Sequence, residues 1–288
     1  MTYVRHGAPA LNYSACHYPG LEMAFRGPKR SLCEPYVTFL GGTAFYGRYV
    51  THAIPDRVEA AIGLGCVNLG LMNAGVDAMG AEGMVSLANG GMATVIEVVG
   101  AQNLSNQFYR VHPRRNDRMV TPTRLFRQVF PELDLCEVHF TRHLLALMKR
   151  EAPSRYDTVV EELRSAWVEH MARLLEALKG PSVLLWVVPA PLPGGEPGLD
   201  QDPLLVDRAS VQAISGLVDR VVEVRETPSI TAQGLLGMQI PETESPIASH
   251  VPRGALLREA AMALLDPLQE LGFGPGRAFV EAGDGLRA

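Results

Sequence analysis

The sequence predicts one doubly wound α/β domain built on a five-stranded parallel sheet. Five short apolar runs carry most of that expectation: Tyr36–Leu40, Cys66–Leu69, Thr94–Val99, Ser182–Val188 and Arg220–Val224. Each has the length of a strand, and strands buried on both faces read as continuous apolar runs, the pattern of a parallel sheet. The stretches Arg48–Ile62 and Ala78–Asn89 are long enough for crossover helices, and alternation of strand and helix covers a sheet on both sides. With 288 residues, 47% of them hydrophobic and 20% charged, the chain can bury one large core.

Residues 1–35 read as an irregular N-terminal segment packed on a domain of residues 36–288, with a basic, turn-rich stretch from Phe25 to Arg30. About eighty residues separate the third and fourth apolar runs, where a crossover needs roughly 10–12. A helical insertion over about 119–180 is therefore expected, covering a pocket or forming a dimer surface. Its clearest helix is Tyr156–Lys179, where Val159, Val160, Leu163, Trp167, Met171, Leu174, Leu175 and Leu178 follow the helical period before Gly180-Pro181 stops it. A second is centred on Phe140–Lys149. Pro189–Pro203 is a loop leaving the fourth strand, and Arg253–Leu271 is a last helix that Pro267 ends or kinks.

The net charge of −5 argues against nucleic acid as a partner. Cys16, Cys33, Cys66 and Cys136 form no CxxC pair, so free thiols are expected. The N-terminus has no apolar signal-peptide core, and no apolar run reaches the ~18–20 residues that cross a bilayer. The expected location by elimination is cytoplasmic, without membrane contact.

In an open parallel sheet, ligands bind beyond the carboxyl ends of the strands. After the first strand comes Gly41-Gly42-Thr43-Ala44-Phe45-Tyr46-Gly47. Thr43 there either faces a ligand, beside backbone N–H groups that favour an anion, or caps a helix. After the second comes Asn73-Ala74-Gly75, in which Gly75 brings a backbone N–H to a ligand or simply allows a tight turn. After the third comes Gly100-Ala101-Gln102-Asn103-Leu104-Ser105-Asn106. Gln102 or Asn103 could donate to a developing oxyanion, or the amides could satisfy loop backbone. His250 lies in a proline-rich loop before the last helix.

The order of these parts resembles the SGNH (GDSL-type) hydrolase superfamily, over about Tyr36–Leu271. The resemblance implies a flavodoxin-like five-stranded parallel sheet. It implies Thr43 at the nucleophile position, Gly75 and Asn103 as oxyanion donors, and His250 as the base. The chain also resembles a bacterial family of this kind with altered catalytic motifs. Three departures stand out. Thr43 replaces the family's serine, Gly42 replaces the aspartate beside it, and Ile247 stands three residues before His250 where the orienting aspartate belongs. A triad without that carboxylate loses about 10⁴ in rate in the serine-protease template. Glu242 or Glu244 could substitute from the same loop.

Two further clusters bear on function. Arg110, Arg114, Arg115 and Arg118 form a dense basic stretch, and Arg114 with Arg115 is expected to bind an anionic group at the pocket mouth. His139 and His143 have i, i+4 spacing but lack the intervening glutamate of His-Glu-x-x-His, so no metal and no cofactor is expected. The resulting expectation is an esterase or acyltransferase, a monomer or a homo-oligomer, acting on a polar, anionic or sugar-bearing small-molecule or glycan ester. The alternative is a degenerate relative that binds a ligand or partner without catalysis.

Overall fold

The computed structural model describes residues 11–191, 198–199 and 202–274. Part of the loop expected at Pro189–Pro203 therefore lies outside the described residues, as do the first ten residues and the last fourteen.

Three strands and four helices come first: β1 (Tyr36–Gly41), α1 (Thr43–Tyr46), α2 (Ile54–Ile62), β2 (Gly65–Gly70), α3 (Val76–Met79), α4 (Glu82–Asn89) and β3 (Ala93–Glu97). The middle of the chain holds β4 (Tyr109–His112), β5 (Arg115–Pro122), α5 (Arg124–Val129), α6 (Thr141–Glu151) and α7 (Pro153–Ala177). The fold then closes with β6 (Ser182–Val188), α8 (Arg208–Ile214), β7 (Arg220–Arg225), α9 (Pro228–Ala232), α10 (Gly254–Ala263) and α11 (Leu265–Glu270).

The five predicted strands form one sheet in the order β2-β1-β3-β6-β7, every pair parallel. This is the flavodoxin-like order, with its topological switch point between β1 and β3. Residues of β1, β3 and β6 are buried throughout, because two apolar layers flank the sheet. One layer gathers Leu40, Leu69, Ile96 and Leu184 under α7. The other gathers Phe39, Val95, Val183 and Leu185 under α2 and α10.

Helix boundaries depart from the sequence expectation where backbone chemistry intervenes. The helix expected over Arg48–Ile62 starts only at Ile54, with Pro55 in its first turn and the Asp56 carboxylate accepting the Ala53 N–H at 2.8 Å. The preceding turn is held by the buried Arg26, whose guanidinium donates to the carbonyl oxygens of Tyr46 (3.0 Å), Gly47, Val50 (2.7 Å) and Thr51 (2.7 Å). The helix expected over Ala78–Asn89 is two short ones, broken at Gly80-Ala81. That over Arg253–Leu271 breaks at Leu264, three residues before Pro267.

The arginine-rich stretch is not a loop. Tyr109–His112 and Arg115–Pro122 pair as an antiparallel hairpin. No apolar run marks it, because few of its side chains are buried. His139 precedes α6 and gives its carbonyl to the Met119 N–H at 3.0 Å, so His139 and His143 do not share a helix face. α7 is anchored to the sheet by the Trp167 indole, which donates to the Val99 carbonyl at 2.8 Å. No helix among the described residues is long and apolar enough to cross a membrane.

Candidate functional site

A cleft of about 380 Å³ opens at the carboxyl ends of β1, β3 and β6, and Thr43, Asn103 and His250 all line it. It lies at the switch point, where doubly wound sheets hold ligands.

Thr43 opens α1, and its Oγ1 accepts the Asn73 N–H at 3.1 Å. The turn carrying it is fixed from below by Glu97, at the end of β3. Glu97 Oε2 accepts the N–H groups of Gly42 (2.8 Å) and Phe45 (3.1 Å), and Oε1 accepts that of Ala44 (3.2 Å). Between residues 42 and 45, only the Thr43 N–H is left out of this arrangement. The anion drawn to these N–H groups is thus the protein's own carboxylate, not a ligand. Gly41 makes room for it, since a Cβ there would lie 2.5 Å from Glu97 Cβ and 2.7 Å from Oε2. Burial pushes the Glu97 carboxyl up to about 7; the three N–H bonds pull it down, and the nearby Asp202 charge adds to the rise.

Asn103 is held at both ends of its carboxamide. Its Nδ2 donates to the Asn73 carbonyl at 3.0 Å, and its Oδ1 accepts the Thr141 hydroxyl at 2.7 Å. This fixes the amide orientation and leaves its second N–H for another acceptor.

Gly75 does not join the site. Its N–H donates to Asn116 Oδ1 at 2.9 Å, and the same oxygen accepts the Ala78 N–H at 3.1 Å. The hairpin thereby caps α3 and consumes the donor assigned to an oxyanion. Gly75 is a glycine for another reason: a Cβ there would stand 1.5 Å from the Asn103 carbonyl oxygen.

His250 ends a 3-10 segment, Glu242–His250, that is tied down on both sides. Glu244 accepts Arg48 at 2.7 Å and the Tyr49 hydroxyl at 2.6 Å. Beyond His250, Arg253 is paired with the fully buried Glu226 carboxylate. Glu244, one of the two acids expected to orient the imidazole, is thus engaged elsewhere. Among the described residues the His250 imidazole makes no hydrogen bond, neither to Thr43 nor to a carboxylate.

Residues 1–272 match the model of a family described as Domain of unknown function (DUF6473). The chain belongs to that family. No curated protein matches the sequence. Among solved structures, this DUF6473 chain is similar to a protein from Lactobacillus plantarum, at 14% identity and a TM-score of 0.42, covering 82% of this chain and 97% of that one. It is also similar to a family two carbohydrate esterase from Clostridium thermocellum, solved in complex with cellohexaose. There the identity is 11% and the TM-score 0.42, over 87% of this chain and 68% of that one.

The arginine pair expected at the mouth of the cleft does not line it. Arg114 pairs with Glu22 at 2.7 Å on the open surface, and Arg115 begins β5 outside the cleft lining. Asp117, on the same hairpin, accepts the Asn73 carboxamide at 3.3 Å. Because the Arg114–Glu22 pair is exposed on both sides, Arg114→Ala is expected to change stability by less than ~0.5 kcal/mol. A urea midpoint shift larger than that allows would reveal a structural role for the hairpin tip. Arg142 of α6 does line this DUF6473 cleft, bonded to the Leu199 carbonyl and to Asp202 at 2.7 Å.

Sequence reasoning passed over Glu97, Asn73, Asn116, Thr141 and Arg142. Of these only Glu97 leaves a sequence signal: it is an acid with apolar residues on both sides inside the run Thr94–Val99, and a buried charge demands partners. The others act through contacts distant in sequence.

Proposed function

We propose that this DUF6473 chain is an SGNH-like ester hydrolase or acyltransferase acting on a polar ester. The observation that supports it is the convergence of Thr43, Asn103 and His250 on one cleft at the switch point. In this reading the Thr43 Oγ1 attacks the ester carbonyl carbon while the His250 imidazole takes its proton. The carbonyl electron pair becomes an oxyanion, held by the Thr43 N–H and the second N–H of Asn103 Nδ2. Gly75 has no part in it, its N–H being spent. As the oxyanion collapses, the ester C–O bond breaks and the departing alcohol takes the proton from His250. Water or an acceptor alcohol then attacks the Thr43 ester by the same steps in reverse.

The geometry of Thr43 suits this role. Its Oγ1 accepts from the Asn73 N–H, so its own proton is directed elsewhere. His250 carries no carboxylate bond among the described residues, which makes slow turnover the expectation. With short activated esters, Thr43→Ala and His250→Ala should each reduce the rate on the order of 10²- to 10⁴-fold. Intact-mass analysis should find an acyl adduct on the unmodified protein and none on Thr43→Ala. Hydrolysis that survives both substitutions would assign the activity to another centre. Ester binding without any turnover would leave a binding protein.

A further inference from the structure

We infer that Gln102 is a specificity-determining residue that reads a hydroxyl group of an uncharged, hydroxyl-rich ligand in the cleft. The inference rests on the cleft being the ligand site of the proposed function, but not on ester chemistry taking place there.

Gln102 lines the cleft, is only 6% exposed, and its Oε1 is buried without a hydrogen-bond partner among the described residues. The other amides of its loop are each held by the protein. Asn106 Oδ1 accepts the Phe108 and Tyr109 N–H groups at 2.8 and 3.1 Å, its Nδ2 donates to the Leu104 carbonyl at 3.0 Å, and Asn103 is held as described. The Gln102 backbone is fixed too, its carbonyl accepting the buried Tyr109 hydroxyl at 2.7 Å. Its carboxamide lies against Gly100, where a Cβ would come within 2.1 Å of Oε1. The chain thus keeps a glycine to accommodate an amide that bonds nothing among the described residues. Loop support does not explain it, and a buried orphan acceptor destabilises an empty cleft.

The charges around it decide the class of ligand. Glu97, Asp117 and Asp202 line the cleft, against Arg142. Arg142 is itself paired with Asp202. An anionic ligand would meet net repulsion here, the reverse of what the arginine-rich hairpin suggested. A hydroxyl, donor and acceptor at once, can serve either end of the carboxamide. A site built to bond a substrate hydroxyl discriminates strongly against the analogue that lacks it.

The test uses the full chain carrying Thr43→Ala, so that no ester is consumed, and titration calorimetry. The probes are a mono-acetylated glucose, its singly deoxygenated counterparts, and glucose 6-phosphate. The expected result is binding of the acetylated sugar and weaker binding of the phosphate. One deoxy analogue should bind about tenfold less tightly or worse. Gln102→Met should lose the same factor for the parent sugar and be indifferent to that one deletion. Gln102→Glu, which keeps an acceptor, should still sense it. The thermal midpoint of the free protein should rise in Gln102→Met, because the orphan acceptor is gone while the length is kept. The inference is overturned if Gln102→Met and its parent bind the sugars alike, if no neutral sugar binds, or if the phosphate binds most tightly. Binding as expected, with no ester turnover by the unsubstituted protein, would instead sink the catalytic reading alone.

Discussion

Gly75→Ala is expected to destabilise the protein by on the order of 4 kcal/mol, the range reserved for severe backbone conflicts. The added Cβ would fall 1.5 Å from the Asn103 carbonyl oxygen and 2.5 Å from its carbon. These are backbone atoms, so no rotamer change relieves the clash, and the loops after β2 and β3 must part. Parting them strains the Asn103–Asn73 and Gly75–Asn116 hydrogen bonds together. Overpacking usually costs 1–3 kcal/mol where side chains can yield; here the backbone itself must move. Denaturant midpoints measure the effect directly. A loss below ~1 kcal/mol would mean that the two loops separate freely, and the rigid placement of Asn103 would have to be abandoned.

Glu97→Gln is expected to remove a pH dependence of stability. The Glu97 carboxyl has an unperturbed value of 4.5 and is pushed up to about 7 by burial in the folded protein. Between those values the folded state binds more protons than the unfolded one, so stability falls as pH rises. The contribution is fully present below 4.5 and is lost as pH passes through about 7. At 1.36 kcal/mol per unit, the loss is on the order of 3 kcal/mol. The wild-type protein should therefore lose stability relative to Glu97→Gln between about pH 5 and pH 8. Unfolding curves at several pH values give the difference, in which groups common to both proteins cancel. Parallel curves across that window would mean that Glu97 stays ionised throughout, with its three N–H bonds outweighing burial. Above pH 7 the variant should also hold the Thr43 turn less well. An amide offers only one acceptor oxygen to three donors, and its NH₂ group opposes one of them.

The two expected results concern residues on either side of what the sequence reveals. Gly75 is visible as a glycine after a strand run, and its placement between strand and helix follows from local pattern. Its reason for being glycine is a carbonyl more than twenty-five residues away, which no local pattern records. Arg114 and Arg115 mislead in the opposite direction. Two adjacent arginines suggest an anion site, but they lie on an antiparallel hairpin, Arg114 beside Glu22, and neither lines the cleft.

The sequence by itself determined the sheet. A strand buried on both faces reads as a largely apolar run, so β1, β3 and β6 stand out in the sequence, β2 with them, while the edge strand β7 keeps Arg220, Glu223 and Arg225; the ends of these runs fix where a ligand cleft can open. It also determined that Thr43, Asn103 and His250 follow strands or precede the last helix, which is a matter of position along the chain. The tertiary structure alone decided which donors remain available. Hydrogen-bonding capacity is exclusive: the N–H that Asn116 takes from Gly75 is lost to any ligand, and the N–H groups that Glu97 takes from Gly42, Ala44 and Phe45 are lost likewise. Which groups meet depends on packing between distant segments, and only the folded chain brings those segments together.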